Sequence, residues 1–228
     1  MVMAGFPLSE ADRALVGDAV TAAELGTDGE IVTIITRRSD DYRDVALIVG
    51  ALAMMLVVAV ATVDPRLLDL PLAGWVGGWD EAPSIVARLA VVLVAQAVLF
   101  GAVLLALRNP AWRIALTPKR VRAARVRARA IRYFKVGAEK RTAARVGVLL
   151  YLSLDERLAE IVADAAVHAK VPPERWGDAM VALVDEVRAG RPAQGMAAAV
   201  GHIGAIVAEH FPKTEEDKNE LPDRLIEL

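Results

Sequence analysis

Asp155, Glu156 and Asp164 flank an apolar stretch that ends "GVLLYLSLDERLAEIVAD". Hard cations such as Ca2+ or Mg2+ take oxygen ligands, and phosphoryl chemistry commonly uses such an ion. These three acids could supply part of a Ca2+ or Mg2+ site. The alternative makes Asp155 and Glu156 an exposed turn with Arg157, and Asp164 a strand-end cap, because acids are mostly exposed. His168 would add a base or ligand if it is not a loop residue ahead of a helix starting near Pro172. His202 and His210 fall at the polar edge of an Ala/Val/Ile-rich helix, without an acid at helical spacing to orient them. The sequence contains no cysteine, which excludes thiol nucleophiles, disulfides and Cys-based zinc sites. It also lacks a Gly-rich phosphate loop, a nucleophile elbow and an H-E-x-x-H helix. Catalytic residues therefore stay unassigned.

A second constellation is basic. Nine Lys or Arg and no acid lie between Arg113 and Lys135. The chain as a whole is near neutral, with 27 basic and 29 acidic residues and a net charge of −2, so this run is a local feature and not the field of a nucleic-acid-binding domain. It also lacks interleaved aromatics before Tyr133, so nucleic acid is not an expected partner. On a helix, Val121, Ala124, Ala128 and Ile131 share one face. Arg122, Arg125, Arg129 and Arg132 form an adjacent stripe. Thr117 and Pro118 supply a cap and a first helical residue. The stripe could bind anionic headgroups, at about 1 kcal/mol per basic residue, or remain a solvated face that only sets topology.

The elements that carry these residues begin with two uncharged runs, 45–63 and 89–107, each of 19 residues. Each would span about 28 Å as a helix, close to the ~30 Å hydrocarbon core of a bilayer. Trp75 and Trp79 lie between them, where interfacial indoles belong. The connecting segment holds Asp64, Asp69, Asp80 and Glu81 against Arg66 and Arg88. Arg37, Arg38, Arg43, Arg108 and Arg113 lie outside the pair. Lys and Arg excess marks the cytoplasmic side. The N-terminal segment carries acids where a secretory signal needs a basic, then apolar, start. The expectation is a protein of a bacterial inner membrane with two spans and both termini cytoplasmic. Ala46/Gly50 and Ala97/Gly101 offer small faces on which the spans could pack.

Around this hairpin the pattern reads helix (9–25, capped by Ser9), strand (31–36), hairpin, basic helix, strand (146–153), strand (158–164), and two helices. The helical face of the first is expected at Leu15, Ala19 and Ala22 with Ala11. The second helix from the end is expected to open near Pro172 and stop at Gly190, and the last to end at Pro212. The strands at 31–36 and 146–153 have no short turn between them, which predicts parallel pairing with the basic helix in the crossover. The α/β domain is thus 1–43 plus 109–212, interrupted by 44–108. The tail 213–228 is expected to be a polar linker ending in a short docking helix, its acidic start touching the basic helix.

The stretch "EKRTAARVGVLLYLSLDERLAEIVADAAV", followed by "RAGRPAQGMAAAVGHIGAIVAEHF", resembles the TPM domain family, with "EIVTIITRR" matching that family's first strand. The resemblance covers about 1–40 and 117–212. It implies an α/β sandwich with a small sheet. It also brings a phosphatase label and divalent-cation binding. Where many relatives have a G-x-G-x-E-like turn, this chain has "ADAAVHAK". The functional expectation is an interaction or accessory module at the cytoplasmic face of the membrane, partnered by the bilayer and a membrane protein. The alternative is a weak metal-assisted phosphatase using Asp155, Glu156 and Asp164.

Overall fold

The computed structural model describes residues 8–72, 83–138, 146–214 and 224–228. The first helix, α1 (Glu10–Glu24), opens as expected. The Ser9 hydroxyl accepts from the Asp12 amide, and the Asp12 carboxylate returns a bond to the Ser9 amide, closing a capping box. Its buried stripe is shifted by one residue from the expected face. Val16 and Val20 are buried, whereas Leu15 lies 40% exposed.

After β1 (Glu30–Thr36) come α2 (Arg43–Val63), α3 (Ile85–Ala106) and α4 (Pro110–Leu116). Then follow α5 (Lys119–Ala138), β2 (Gly147–Ser153), β3 (Leu158–Ala163), α6 (Ala165–Lys170), α7 (Gly177–Arg188), α8 (Pro192–His210) and β4 (Ile226–Glu227). The chain divides into two compact units, one formed by Met1–Asp40 with Lys119–Leu228 and the other by Asp41–Pro118.

The first unit is an α/β fold on a four-stranded mixed sheet of order β3-β2-β1-β4. β1 runs parallel to β2 over its whole length, and β2 pairs antiparallel with β3. Alternation along the strands supplies two apolar faces. Ile31, Ile35, Val148, Leu150 and Leu152 pack with α1, α7 and α8. Ile34, Leu149 and Tyr151 pack under α5 through Val126 and Ala130. The apolar face of α5 therefore differs from the one expected. Val121, Ala124 and Ala128 are exposed, while Val126 and Ala130 are fully buried. Small residues allow α8 to approach its neighbours closely. A Cβ on Gly204 would stand 2.5 Å from the Ala23 Cβ, and one on Gly195 would stand 2.8 Å from the Leu183 carbonyl oxygen.

Three local expectations are corrected. His168 lies on α6, not in a loop, because Asp164–Lys170 closes a turn of helix before Pro172. The segment Pro173–Trp176 is a 3-10 turn that precedes α7. The tail ends in a strand, not a docking helix, since β1 offers an edge to pair with. The Leu228 amide donates to the Ile35 carbonyl, and Arg13 pairs with Glu227 at 2.6 Å. The expected contact of the acidic tail segment lies outside the described residues.

The second unit holds two helices of 21 and 22 residues, long and apolar enough to cross a membrane. They pack against each other where Gly50 meets the Phe100 ring, at 2.7 Å from a would-be Cβ, whereas Gly101 meets nothing within 4 Å. Gln96 donates its amide to the Met54 carbonyl (3.2 Å), and the Thr62 hydroxyl donates to Ala59 (2.7 Å). Arg113 donates to the carbonyls of Asp41 and Arg108. Thr117 does not cap α5; its hydroxyl donates back to Arg113 within α4.

Gly204→Leu should destabilise the α/β unit by about 2 kcal/mol, because the α1–α8 contact has no room for the added atoms. A denaturant melt of the full chain in detergent, with Gly201→Leu as an open-space control, checks this.

Candidate functional site

The polar residues of the α/β unit converge where β1 and β2 end. Glu156, in the β2–β3 turn, is 3% exposed. One carboxylate oxygen accepts from the Ser39 amide at 2.8 Å, and the other accepts from the Ser153 hydroxyl. The Ser39 and Tyr151 hydroxyls share a hydrogen bond of 3.0 Å. Arg129 donates to the Ser39 carbonyl at 2.9 Å and lies over the Tyr133 ring. Arg125 pairs with Asp40 at 3.0 Å. Burial pushes the Tyr151 hydroxyl above its ordinary pKa, with the Ser39 bond opposing. Backbone geometry makes the cluster possible: Arg157 adopts a left-handed φ of 54°, which turns the chain tightly enough to fold Glu156 back toward Ser39.

The three acids expected to share a cation do not meet. Asp155 pairs with Arg38 (3.5 Å) and Arg37 (3.8 Å). Glu156 points into the buried cluster. Asp164 lies at the other end of β3, a strand of 6 residues, or about 20 Å away, where it accepts from the Gly147 amide at 2.9 Å. Antiparallel strands separate the ends of a hairpin, so these residues do not fit one ion. Among the described residues no group of three or more His, Asp or Glu is placed to hold a metal.

The arginine stripe is divided. Arg125 and Arg129 turn to Asp40 and Ser39, Arg122 is half-buried, and Arg132 is exposed. Trp75 and Trp79 lie outside the described residues. His202 is exposed on α8 and His210 is half-buried at its end. Glu156 and Ser39 were missed as partners by sequence reasoning, because 117 residues separate them and an acid in a "LDER" turn looks solvated.

Two hollows flank β3. One, of about 680 Å³, lies between Leu158–Ala159 and the end of α7, with Arg157, Arg188 and Gly190 at its rim. The other, of about 380 Å³, lies beside Ala159, Ile161 and Ala163 and is closed by Pro173, Trp176 and Met180. Arg127 and Glu160 meet at its mouth, 3.3 Å apart. Burial raises the Glu160 pKa, and Arg127 only partly offsets this.

No protein-family model matches the chain, and no curated protein matches it. Among solved structures it is similar to the BA42 protein from the psychrophilic bacterium Bizionia argentinensis sp. nov., determined by NMR. The TM-score is 0.56 at 16% identity, covering 100% of this chain and 99% of that one. This likeness concerns the fold alone.

Glu156→Ala strands the buried Ser39 amide and Ser153 hydroxyl, and should cost about 3 kcal/mol in a denaturant melt, with Glu156→Gln costing less. For Glu160, the folded state holds the proton more tightly than the unfolded one. Its contribution to stability is therefore present below the ordinary glutamate value of 4.5 and is lost as pH rises through the raised folded value. Glu160→Gln should flatten that part of a melting-temperature profile and raise the melting temperature at neutral pH.

Proposed function

We propose that this chain is a bilayer-anchored interaction module. In this reading α2 and α3 span a bacterial inner membrane, and the α/β unit, of TPM type, lies on the cytoplasmic side. The observation that carries it is the exposure of the two long apolar helices. In their most apolar stretches 11% of α2 and 0% of α3 is buried. Leu52, Met55, Leu56, Leu89, Leu93 and Val98 are all more than half exposed. A core helix of a soluble domain hides such side chains, and lipid is the solvent that accepts them all round. The polar groups within the spans support the same reading, since Gln96 and Thr62 find backbone acceptors inside the hairpin. Arg88 is neutralised by Asp69 at 2.8 Å, while Arg37, Arg38, Arg43, Arg108 and Arg113 flank the pair. That imbalance favours cytoplasmic termini.

The TPM assignment draws support from the order helix, strand, crossover, hairpin, helix, helix, which the resemblance in the sequence anticipates. Phosphate-ester hydrolysis on a shared Ca2+ or Mg2+ draws none, because Asp155, Glu156 and Asp164 lie apart and make internal bonds. An interaction role fits a unit whose clustered polar groups bond one another.

The cysteine-free sequence suits accessibility labelling. In cells, Leu70→Cys should react with a membrane-impermeant maleimide from outside, and Thr214→Cys should react only after lysis. The wild-type chain should stay with the membrane through an alkaline carbonate wash. Release by carbonate, or the reverse labelling pattern, overturns the assignment.

A further inference from the structure

We propose that the free edge of β3, with the hollows beside it, is a docking groove for an extended acidic segment of a partner protein, taken up as a fifth strand. This deepens the interaction-module reading and rests on it.

The backbone phase of β3 carries the first part of the argument. The Asp164 amide donates to the Gly147 carbonyl, and β2–β3 register pairs Val162 with Leu149 and Glu160 with Tyr151. Hydrogen-bonded and non-bonded pairs alternate along an antiparallel ladder. Leu158, Glu160 and Val162 therefore bond to β2, and the amides and carbonyls of Ala159, Ile161 and Ala163 point away from the sheet. No hydrogen bond satisfies them among the described residues. The opposite edge is treated differently. There the Ile31 amide donates to Glu24 at 2.7 Å, and β4 pairs with Ile34 and Ile35. An edge left bare by the described residues, beside a covered one, is a template for strand addition.

The hollows supply the side-chain half of such a site. Alternate residues of an added strand point to opposite faces of the sheet. On the α7 side they would meet Leu183, Val184 and Val187 near one end and Trp176 and Met180 near the other. On the α5 side they would meet Arg127.

Charge selects the occupant. The titratable groups lining the two hollows are Arg127, Arg157, Arg188 and His168 against one acid, Glu160. The Arg157 side chain makes no hydrogen bond or ion pair among the described residues, and Arg188 has only Asp185, at 4.0 Å and exposed. A segment alternating acidic and apolar residues matches this lining, whereas a basic one meets repulsion.

The test uses the full chain in detergent micelles with a short, end-capped, labelled peptide of alternating Glu and Val. Controls replace Glu by Lys, or methylate alternate amides so that charge and side chains stay but ladder donors are lost. The expected result is saturable binding that slows amide exchange at Ala159 and Ile161. Affinity should fall about tenfold or more on methylation, in Ala159→Pro, which removes an outward donor without touching the β2 ladder, and in Arg157→Asn, which tolerates the left-handed φ. Equal binding of the Lys peptide, indifference to methylation, or unchanged exchange at β3 overturns the proposal. So does a dimer that Ala159→Pro dissolves, or capture of anionic vesicles through Arg157 in place of the peptide. If Ala159→Pro fails to fold, the methylated peptide on the wild-type chain decides. Release by carbonate with peptide binding intact removes the anchor and leaves the groove. Firm membrane retention without peptide binding does the opposite.

Discussion

The Glu156 carboxylate, shut away from solvent, holds the Ser39 amide and the Ser153 hydroxyl, and the α/β unit depends on that buried acid to secure its longest connection. Ser39 and Asp40 are the residues by which the chain leaves the unit after β1. They are held from two directions, by the β2–β3 turn and by Arg125 and Arg129 of α5. Burying a carboxylate is costly unless its lone pairs are used. Here they are used on groups that would otherwise be stranded themselves. The arginines explain how so basic a helix can cover a sheet face. Val126 and Ala130 meet the sheet, while two arginine heads are spent on oxygens at the departing strand.

The hairpin works by different rules. Its two helices pack extensively on each other, with Gly50 against the Phe100 ring and the Gln96 amide on the Met54 carbonyl, yet most of their large apolar side chains stay uncovered. In water such helices would be a liability. In hydrocarbon the side chains need no cover, and what matters is that each polar group within reach of lipid is satisfied locally.

Much of this architecture was legible in the sequence because it rests on local chemistry. Ser9 and Asp12 announce a capped helix, β-branched residues mark β1, and two uncharged runs mark the hairpin. The absence of a short turn between 31–36 and 146–153 implied parallel pairing, which β1 and β2 adopt. What sequence could not give were the phases and the distant partners. The faces of α1 and α5 were misjudged, since Ala and Val recur on several faces and only packing selects Val16 or Val126. The strand at the tail depends on an edge that exists only after β1 and β2 pair. At the candidate site, three acids near one hairpin looked like a ligand set, yet strand length carries Asp164 to the far end. Glu156 found its role through Ser39, a residue no spacing rule connects to it.

The parallel pairing of β1 with β2 has a consequence for biogenesis. β1 is made before the hairpin, and the strand it must join is made after it. Until the chain beyond α2 and α3 is made, the nascent β1 has apolar residues on both faces and no neighbour to bond. High-contact-order pairings of this kind form slowly and leave sticky intermediates. The first segment of the domain must therefore be kept soluble, by its own helix or by a chaperone, until translation delivers the other half.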